Sequence, residues 1–207
     1  CFEDGPSGCD ETCGSTLADD ACGVCGGDGT SCLASLGFGS FDASVGTLEV
    51  TYDFGGPVAG FQFDVTGLAL TGASGGAASD AGLTVSIGGE TVLGFSFNNL
   101  EIAAGSGVLT VLSFSDVTAG TTELSFYDSS LGSDGAITDA SGNTYDASAS
   151  GSIDHGDPDC AGDYYGDAVV DCAGDCAGDS AEDDCGVCNG GNADDLGCGC
   201  FEDGPSG

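Results

Sequence analysis

The chain has 207 residues and a formal net charge of −35, with 35 aspartate and glutamate residues and no lysine, arginine, methionine or tryptophan. Such a charge repels nucleic-acid phosphates and anionic lipid surfaces, and the longest apolar stretches are strand-sized, so we expect neither nucleic-acid binding nor membrane insertion. Forty glycines beside four prolines indicate tight turns between short strands. We therefore predict an acidic, all-β protein.

An octapeptide, CFEDGPSG, opens the chain at 1–8 and occurs again at 200–207. An identity of this length predicts one period of a tandem array, with 200–207 as the start of the next repeat. The alternative is a linker motif that is used twice around a single domain.

All 13 cysteines lie at the two ends of the sequence, and their spacing in one segment is repeated in the other. With Cys200 assigned to the next repeat, twelve remain, which indicates two six-cysteine modules, 1–32 and an Asp-rich 154–199. The even count predicts three disulfides per module with the pairing left open, and hence an extracellular or cell-surface location. The alternative is zinc, because CGVC at 22–25 and 185–188 has the spacing of a thiolate site. The predicted disulfide cysteines are Cys1, Cys9, Cys13, Cys22, Cys25, Cys32, Cys160, Cys172, Cys176, Cys185, Cys188 and Cys198.

Between these modules, 33–153 has the alternating apolar pattern of β-strands. In each alternating run the first residue and every second one after it are predicted to face the core. These runs are 48–54, 61–65, 83–87 and 93–97. The run 107–114 is apolar on both faces and predicts a central strand, while Leu124 and Tyr145 mark later strands. Turn residues separate the runs at the spacing typical of a two-sheet sandwich.

Four phrases within 37–153, GTLEVTYDF, AGFQFDVTGLAL, GSGVLTVLSF and TDASGNTYDASASGSI, resemble cohesin-like domains of large extracellular bacterial proteins. The resemblance implies a jelly-roll β-sandwich that serves as a rigid spacer or as a receptor for a partner module. The phrase CGVCGGDGTSC at 22–32 resembles the CGVC-type modules of very large secreted microbial proteins. That likeness implies a small, disulfide-rich and largely irregular connector.

The segment 160–183 divides into six tetrapeptides that each end in aspartate. This pattern predicts a ladder of turns, in which carbonyl and carboxylate oxygens together would bind calcium. The alternative is that the aspartates cap turns and keep the protein soluble. A second candidate loop, TDASGNTYD, offers Asp139 and Asn143, against the alternative of an ordinary Asx-turn; the same choice applies to GSDG at 132–135. The predicted calcium ligands are Asp163, Asp167, Asp171, Asp175, Asp179, Asp183, Asp139 and Asn143.

Catalysis is not expected, because no lysine or arginine is present and the single histidine, His155, lies in a Gly- and Pro-containing linker where we expect it to be solvated. Tyr164 and Tyr165 are predicted to form a small core in their module. The sequence therefore predicts a structural repeat unit of an extracellular filament or surface fibre, stabilised by disulfides and calcium, whose partners are copies of itself. The alternative is a multivalent extracellular binding or adhesion module that recognises carbohydrate or a protein partner.

Overall fold

The computed structural model describes residues 6–20, 22–126, 136–195 and 199–202. The predictions for Cys1, for Cys198 and for the loop 132–135 lie outside the described residues. The chain divides into two compact units, Cys1–Asp154 and His155–Gly207.

Strands make up nearly all of the regular secondary structure. No helix in the described ranges is long and apolar enough to cross a membrane. The described elements are β1 (Pro6–Ser7), β2 (Thr12–Cys13), β3 (Leu33–Asp42), β4 (Thr47–Phe54), β5 (Gly60–Thr66), β6 (Leu68–Ser74), α1 (Gly76–Asp80), β7 (Thr84–Gly88), β8 (Thr91–Phe95), β9 (Gly105–Val117), β10 (Thr121–Ser125), β11 (Ile137–Thr138), β12 (Asp146–Ser150) and β13 (Ser152–Asp154).

The first unit contains a sandwich of two sheets. One sheet has the order β12-β3-β4-β9-β6, and the other has the order β13-β10-β5-β8-β7 with β11 beside β5. The pair β12–β3 is parallel, whereas β3–β4 and β4–β9 are antiparallel. The predicted fold class, an all-β sandwich joined to disulfide-rich segments, is confirmed. The last strand ends at Asp154, one residue beyond the predicted limit of the sandwich.

The core of the sandwich lies where the alternating pattern places it in β4 and β5. Successive side chains of a strand point to opposite faces, so every second residue of β5 is buried, as are Leu48, Val50 and Phe54 of β4, whereas Tyr52 is half-buried. β9 lies between β4 and β6, as its apolar sequence predicts. A register shift opposite Val50 buries both Leu109 and Thr110, two neighbours in sequence. The largest fully buried side chains are Phe54, Phe61, Phe63, Leu48, Leu109, Leu112, Ile137, Val50, Val58, Val65, Val92 and Thr110.

Strand β8 faces the core with the opposite set of residues from the predicted one. Val92 is fully buried, while Leu93 is 40% exposed and Phe97, beyond the strand, is 80% exposed. The cause is a ring from β5: a Cβ added at Gly94 would overlap the Phe61 ring. Gly94 therefore leaves the space that Phe61 fills, and the predicted inward face of 93–97 is wrong.

The second unit has isolated β-bridges in place of sheets beyond Asp154, in the part of it that the structure describes. Val169 and Val170 are 73% and 57% exposed, so they do not form a core. The prediction of a solvated His155 is wrong: only 8% of the residue is exposed, and its Nδ1 lies 2.7 Å from the Tyr165 hydroxyl. The rings of Tyr164 and Tyr165 both contact the imidazole, so the small aromatic cluster of this unit includes the histidine.

Candidate functional site: a ladder of aspartate-capped turns

Both cysteine-rich segments repeat a twelve-residue turn that begins with an aspartate. We call these stretches capped turns and number their positions from the aspartate, position 1, to position 12. The four capped turns are 20–31, 159–170, 171–182 and 183–194.

The aspartate at position 1 organises the backbone of its turn. In the turn 171–182, Asp171 Oδ1 accepts the N–H groups of Ala173 and Asp175, both at 2.9 Å, and Oδ2 accepts that of Ser180 at 3.0 Å. Three of the roughly four lone-pair directions of the carboxylate are thus occupied by backbone donors. The other three turns repeat these bonds to positions 3, 5 and 10: Asp20 to Cys22, Val24 and Gly29; Asp159 to Ala161, Asp163 and Ala168; Asp183 to Cys185, Val187 and Asn192.

These backbone donors hold the capping aspartates in their charged form. Hydrogen bonds to a carboxylate favour ionisation, so the pKa of Asp171 lies below its ordinary value of 3.8, chiefly because of the N–H of Asp175. The pKa of Asp20 is lowered chiefly by Val24, that of Asp159 by Asp163 and that of Asp183 by Val187. The charge of each capping aspartate is therefore stabilised by its own turn, and no positively charged side chain is involved.

Two further positions show why the sequence adopts this turn. At position 8 every capped turn has glycine, because a Cβ there would overlap Oδ2 of the capping aspartate; these residues are Gly27, Gly166, Gly178 and Gly190. At position 7 every capped turn has a positive φ, between 52° and 68°; these residues are Gly26, Tyr165, Ala177 and Asn189. Non-glycine residues adopt this region at a cost, so the surrounding bonds impose the conformation.

Disulfides and backbone hydrogen bonds join each turn to the next. The Cys160–Cys176 and Cys172–Cys188 bridges each link position 2 of one turn to position 6 of the following one, 16 residues later. Beside these bridges, Ala177 N–H donates to the Val169 carbonyl at 2.9 Å. We call the succession of bridged turns the turn ladder. The remaining described bridges are Cys9–Cys25, Cys22–Cys32 and Cys185–Cys200.

Every cysteine that the structure describes is disulfide-bonded, including Cys13. The two cysteines of the CGVC motif at 22–25 have different partners, Cys32 and Cys9. One group of three ligand-type side chains, Cys9, Asp19 and Cys25, lies within 4.8 Å among the described residues, but its two sulfurs are bonded to each other. The described cysteines therefore offer no thiolate for zinc, and the disulfide alternative is the one that the structure adopts.

The six periodic aspartates predicted as calcium ligands occupy three different positions of the turn. Asp171 and Asp183 are half-buried capping residues. Asp163 and Asp175, at position 5, donate their backbone N–H groups to the caps, and their side chains are exposed. Asp167 and Asp179, at position 9, are exposed as well. The aspartates thus recur every four residues in the sequence, whereas the turns that contain them repeat every twelve residues.

The predicted pair Asp139 and Asn143 forms a closed turn in the first unit. Asp139 Oδ1 accepts the N–H groups of Ser141 at 2.9 Å and Asn143 at 2.8 Å. Its Oδ2 accepts a hydrogen bond from the Asn143 side-chain amide at 2.7 Å, which is the main cause of a lowered pKa of Asp139. The two residues are brought together as an Asx-turn, with both carboxylate oxygens engaged.

Sequence reasoning missed two of the four capping aspartates, Asp20 and Asp159. The signal that identifies them is an aspartate followed by cysteine one or two residues later and by glycine at positions 4 and 8. This pattern recurs at Asp159, Asp171 and Asp183 at intervals of twelve residues. The shorter Asp–Gly period conceals it.

Comparisons with known proteins identify no family for this chain. No family model matches the chain, and no curated protein matches it. Among solved structures, a non-cellulosomal cohesin from the hyperthermophilic archaeon Archaeoglobus fulgidus is similar, with 17% sequence identity and a TM-score of 0.42. The match covers 58% of this chain and 89% of that one.

Proposed function

We propose that this chain is a structural repeat unit of an extracellular filament or surface fibre, in which β-sandwiches alternate with turn ladders. The observation that carries the proposal is the ladder itself. Each turn satisfies its own carboxylate and is joined to the next by a disulfide and a backbone hydrogen bond, as Cys172–Cys188 and the bond from Asn189 N–H to the Ala181 carbonyl show. A structure of this kind grows by adding turns along one direction and needs no closed core.

The charge of the chain favours linear over lateral assembly. With a net charge of −35 and no lysine or arginine, two chains side by side repel each other. A covalent or end-to-end arrangement is less affected, since few carboxylates meet at each junction. The partners in this proposal are therefore further copies of the chain along the fibre axis.

Disulfides support the extracellular part of the proposal. Five bridges are described, and disulfides of this density are typical of proteins in oxidising surroundings outside the cytosol. Where a small unit lacks a sizeable core, as beyond His155, bridges of this span each contribute roughly 2–4 kcal/mol.

The proposal also includes calcium, bound only by the exposed carboxylates of the turn ladder. Asp171 and Asp183 already accept backbone donors with both oxygens, and Asp139 accepts backbone donors with Oδ1 and the Asn143 side-chain amide with Oδ2. The exposed aspartates at positions 5 and 9 keep their side-chain oxygens towards solvent, where a hard cation would reduce repulsion between turns. We expect calorimetry to detect calcium binding at millimolar concentration, and chelation to lower the melting temperature. A flat titration together with an unchanged melting temperature would remove calcium from the proposal.

The fibre itself is tested on native material. Under denaturing and reducing conditions, a tandem protein has an intact mass of many multiples of the 19.9 kDa of this chain. Electron microscopy of the same material is expected to show long fibres with one bead and one connector per axial repeat. Isolated beads of a single 20 kDa species would refute the proposal.

A second candidate is a multivalent binding module for carbohydrate, favoured by one surface. Phe97 is 80% exposed and contacts Phe95 edge-to-face, with 4.8 Å between the ring centroids. Exposed aromatic rings offer stacking faces to sugars. Retention on immobilised glycans that is lost in Phe97→Ala, and kept in Val45→Ala at another exposed apolar residue, would support this candidate. No retention by the oxidised chain would exclude it for the glycans used.

A further inference from the structure

The second copy of the repeated octapeptide begins within the turn ladder. Cys200, its first residue, is bonded to Cys185, which precedes the octapeptide by 15 residues. The backbone forms a bridge between Asp195 and Cys200, five residues apart, where the bridges Val170–Cys176 and Glu182–Cys188 of the earlier turns span six residues. The cysteine of the octapeptide thus completes a link that begins in the preceding turn.

Phe201, directly after Cys200, has the backbone conformation of position 7 of a capped turn. Asp195 lies twelve residues after Asp183, so Phe201 falls at position 7 of the next turn. Phe201 has a φ of 61°, against 61° for Tyr165 and 55° for Asn189 at the same position. Its N–H donates to the Asp194 carbonyl, seven residues earlier, at 2.8 Å; Ala177 and Asn189 donate in the same direction to carbonyls eight residues earlier.

The twelve-residue spacing of the turns continues after the first copy of the octapeptide. In the second copy, the last glycine of the octapeptide is residue 207, twelve residues after Asp195. The same glycine in the first copy is Gly8, and Asp20 lies twelve residues after it. Counted from Gly8, Glu11 and Gly14 lie at positions 4 and 7 and have φ values of 51° and 74°; positions 4 and 7 of the turn 171–182, Gly174 and Ala177, also have positive φ. The Cys9–Cys25 bridge joins position 2 of this turn to position 6 of the next.

We propose that in tandem copies the turn ladder passes through the repeat junction without a break. Because Cys200 stands where the next copy has Cys1, the Cys185–Cys200 bridge is then a disulfide between consecutive copies. The partner of the ladder that begins at Asp159 is thus the amino-terminal segment of a second copy of this chain. This inference rests on the proposed tandem array and adds the register in which its copies join.

The bridge has a defined chemistry. The thiols of Cys185 and Cys200 lose two protons and two electrons to an extracellular oxidant, either molecular oxygen or a small-molecule disulfide that is reduced to its thiols. The product is the S–S bond that the structure contains. Consecutive sandwiches are then linked by a single connector, in which the capped turns that begin at Asp159, Asp171 and Asp183 precede the junction and the one that begins at Asp20 follows it.

The rival arrangement consists of two self-contained modules, in which Cys200 bonds Cys13 of the next copy. A two-copy chain, in which 200–207 of the first copy serve as 1–8 of the second, separates the two. In oxidised protein we expect mass spectrometry to recover Cys185 of the first copy linked to Cys200. A peptide that links Cys200 to Cys13 of the second copy would overturn the inference.

A variant pair gives a second readout of the same question. In Cys185→Ser of the first copy, alkylation under denaturing conditions should rise by one thiol per chain relative to the unsubstituted two-copy protein, at Cys200. The matched control, Cys172→Ser, should label Cys188 to the same extent, because that bridge lies within one copy. An unlabelled Cys200 in the first variant would overturn the inference. Native material of single-repeat mass would instead refute the array, whatever the two-copy map shows.

Discussion

The β-sandwich and the turn ladder of the second unit are held together by different interactions, although both lack lysine and arginine. In the sandwich, rings such as Phe54, Phe61 and Phe63 are almost completely buried. In the ladder, Val169 and Val170 are exposed, and disulfides with carboxylate caps replace the core. The comparison shows how a highly anionic chain without lysine or arginine folds: backbone N–H groups stabilise the charge of its capping carboxylates.

The largest expected effect is that of reduction, which separates the two regions. The segment 33–159 contains no cysteine, so its core does not depend on disulfides. We expect a thiol reductant to abolish amide-exchange protection across 159–195 and to leave the strands β4, β5 and β9 protected, because each lost bridge removes roughly 2–4 kcal/mol from a segment without a core. If the capped turns stay protected from amide exchange after complete reduction, the carboxylate caps alone are enough to stabilise the turns.

The converse experiment targets the core of the sandwich. Phe63→Ala removes a fully buried ring and should lower the free energy of unfolding of the sandwich by about 3–5 kcal/mol. Phe97→Ala is the matched control and should change it by less than about 0.5 kcal/mol, because Phe97 is mostly exposed. Denaturant unfolding followed by tyrosine fluorescence and by amide exchange measures both. Equal effects of the two variants would contradict the observed burial.

A smaller and local effect is expected at position 8 of a capped turn. Gly178→Ala places a methyl group against Oδ2 of Asp171, so either the cap or the turn must move. We expect a loss of roughly 1–3 kcal/mol in the local stability of the turns around 171–182, with no change in the sandwich. Asp179→Ala, at the next and exposed residue, is the control. Amide exchange at Ser180, whose N–H bonds Oδ2 in the native turn, provides the readout.

The smallest effect is that of acid on the caps. In the folded chain the pKa of Asp171 lies below its ordinary value of 3.8. The contribution of the Asp171 carboxylate to stability is therefore complete above pH 3.8 and is lost as the pH falls from 3.8 through the lowered pKa. Thermal melting of the capped turns, followed by amide signals, should therefore shift to lower temperature below pH 3.8. Asp171→Asn should remove part of this dependence, and Asp175→Asn, whose side chain is exposed, should leave it unchanged. An identical pH profile in both variants would contradict the role of the cap.

The sequence was sufficient for features that depend on local periodicity. Alternation gives the buried faces of β4 and β5 directly, since period two is the geometry of a strand. It fails at β8 because Gly94 has no side chain of its own and accepts the ring of Phe61, which lies more than thirty residues earlier. His155 was misplaced for a similar reason: its partner, Tyr165, lies ten residues on in a segment with no regular pattern.

The ladder was predictable in kind but not in detail. An even number of cysteines predicts disulfides, yet six cysteines permit many pairings, and the links between positions 2 and 6 emerge only when the turns are folded. The caps were hidden by composition, because aspartate is so frequent that Asp159 and Asp20 do not stand out. What distinguishes them is the glycine at position 8, Gly166 or Gly27, and its significance is the space that the carboxylate needs.

The parallel pairing of β12 with β3 has a mechanical consequence. Leu33 lies opposite Asp146, and Gly37 lies opposite Ser150, so the chain enters the sandwich at one end of this pair and leaves it towards β13 from the other. Tension along a fibre would pull these two strands past each other lengthwise. Their hydrogen bonds would then have to rupture together instead of opening one after another, which is the geometry in which a β-sheet yields least readily.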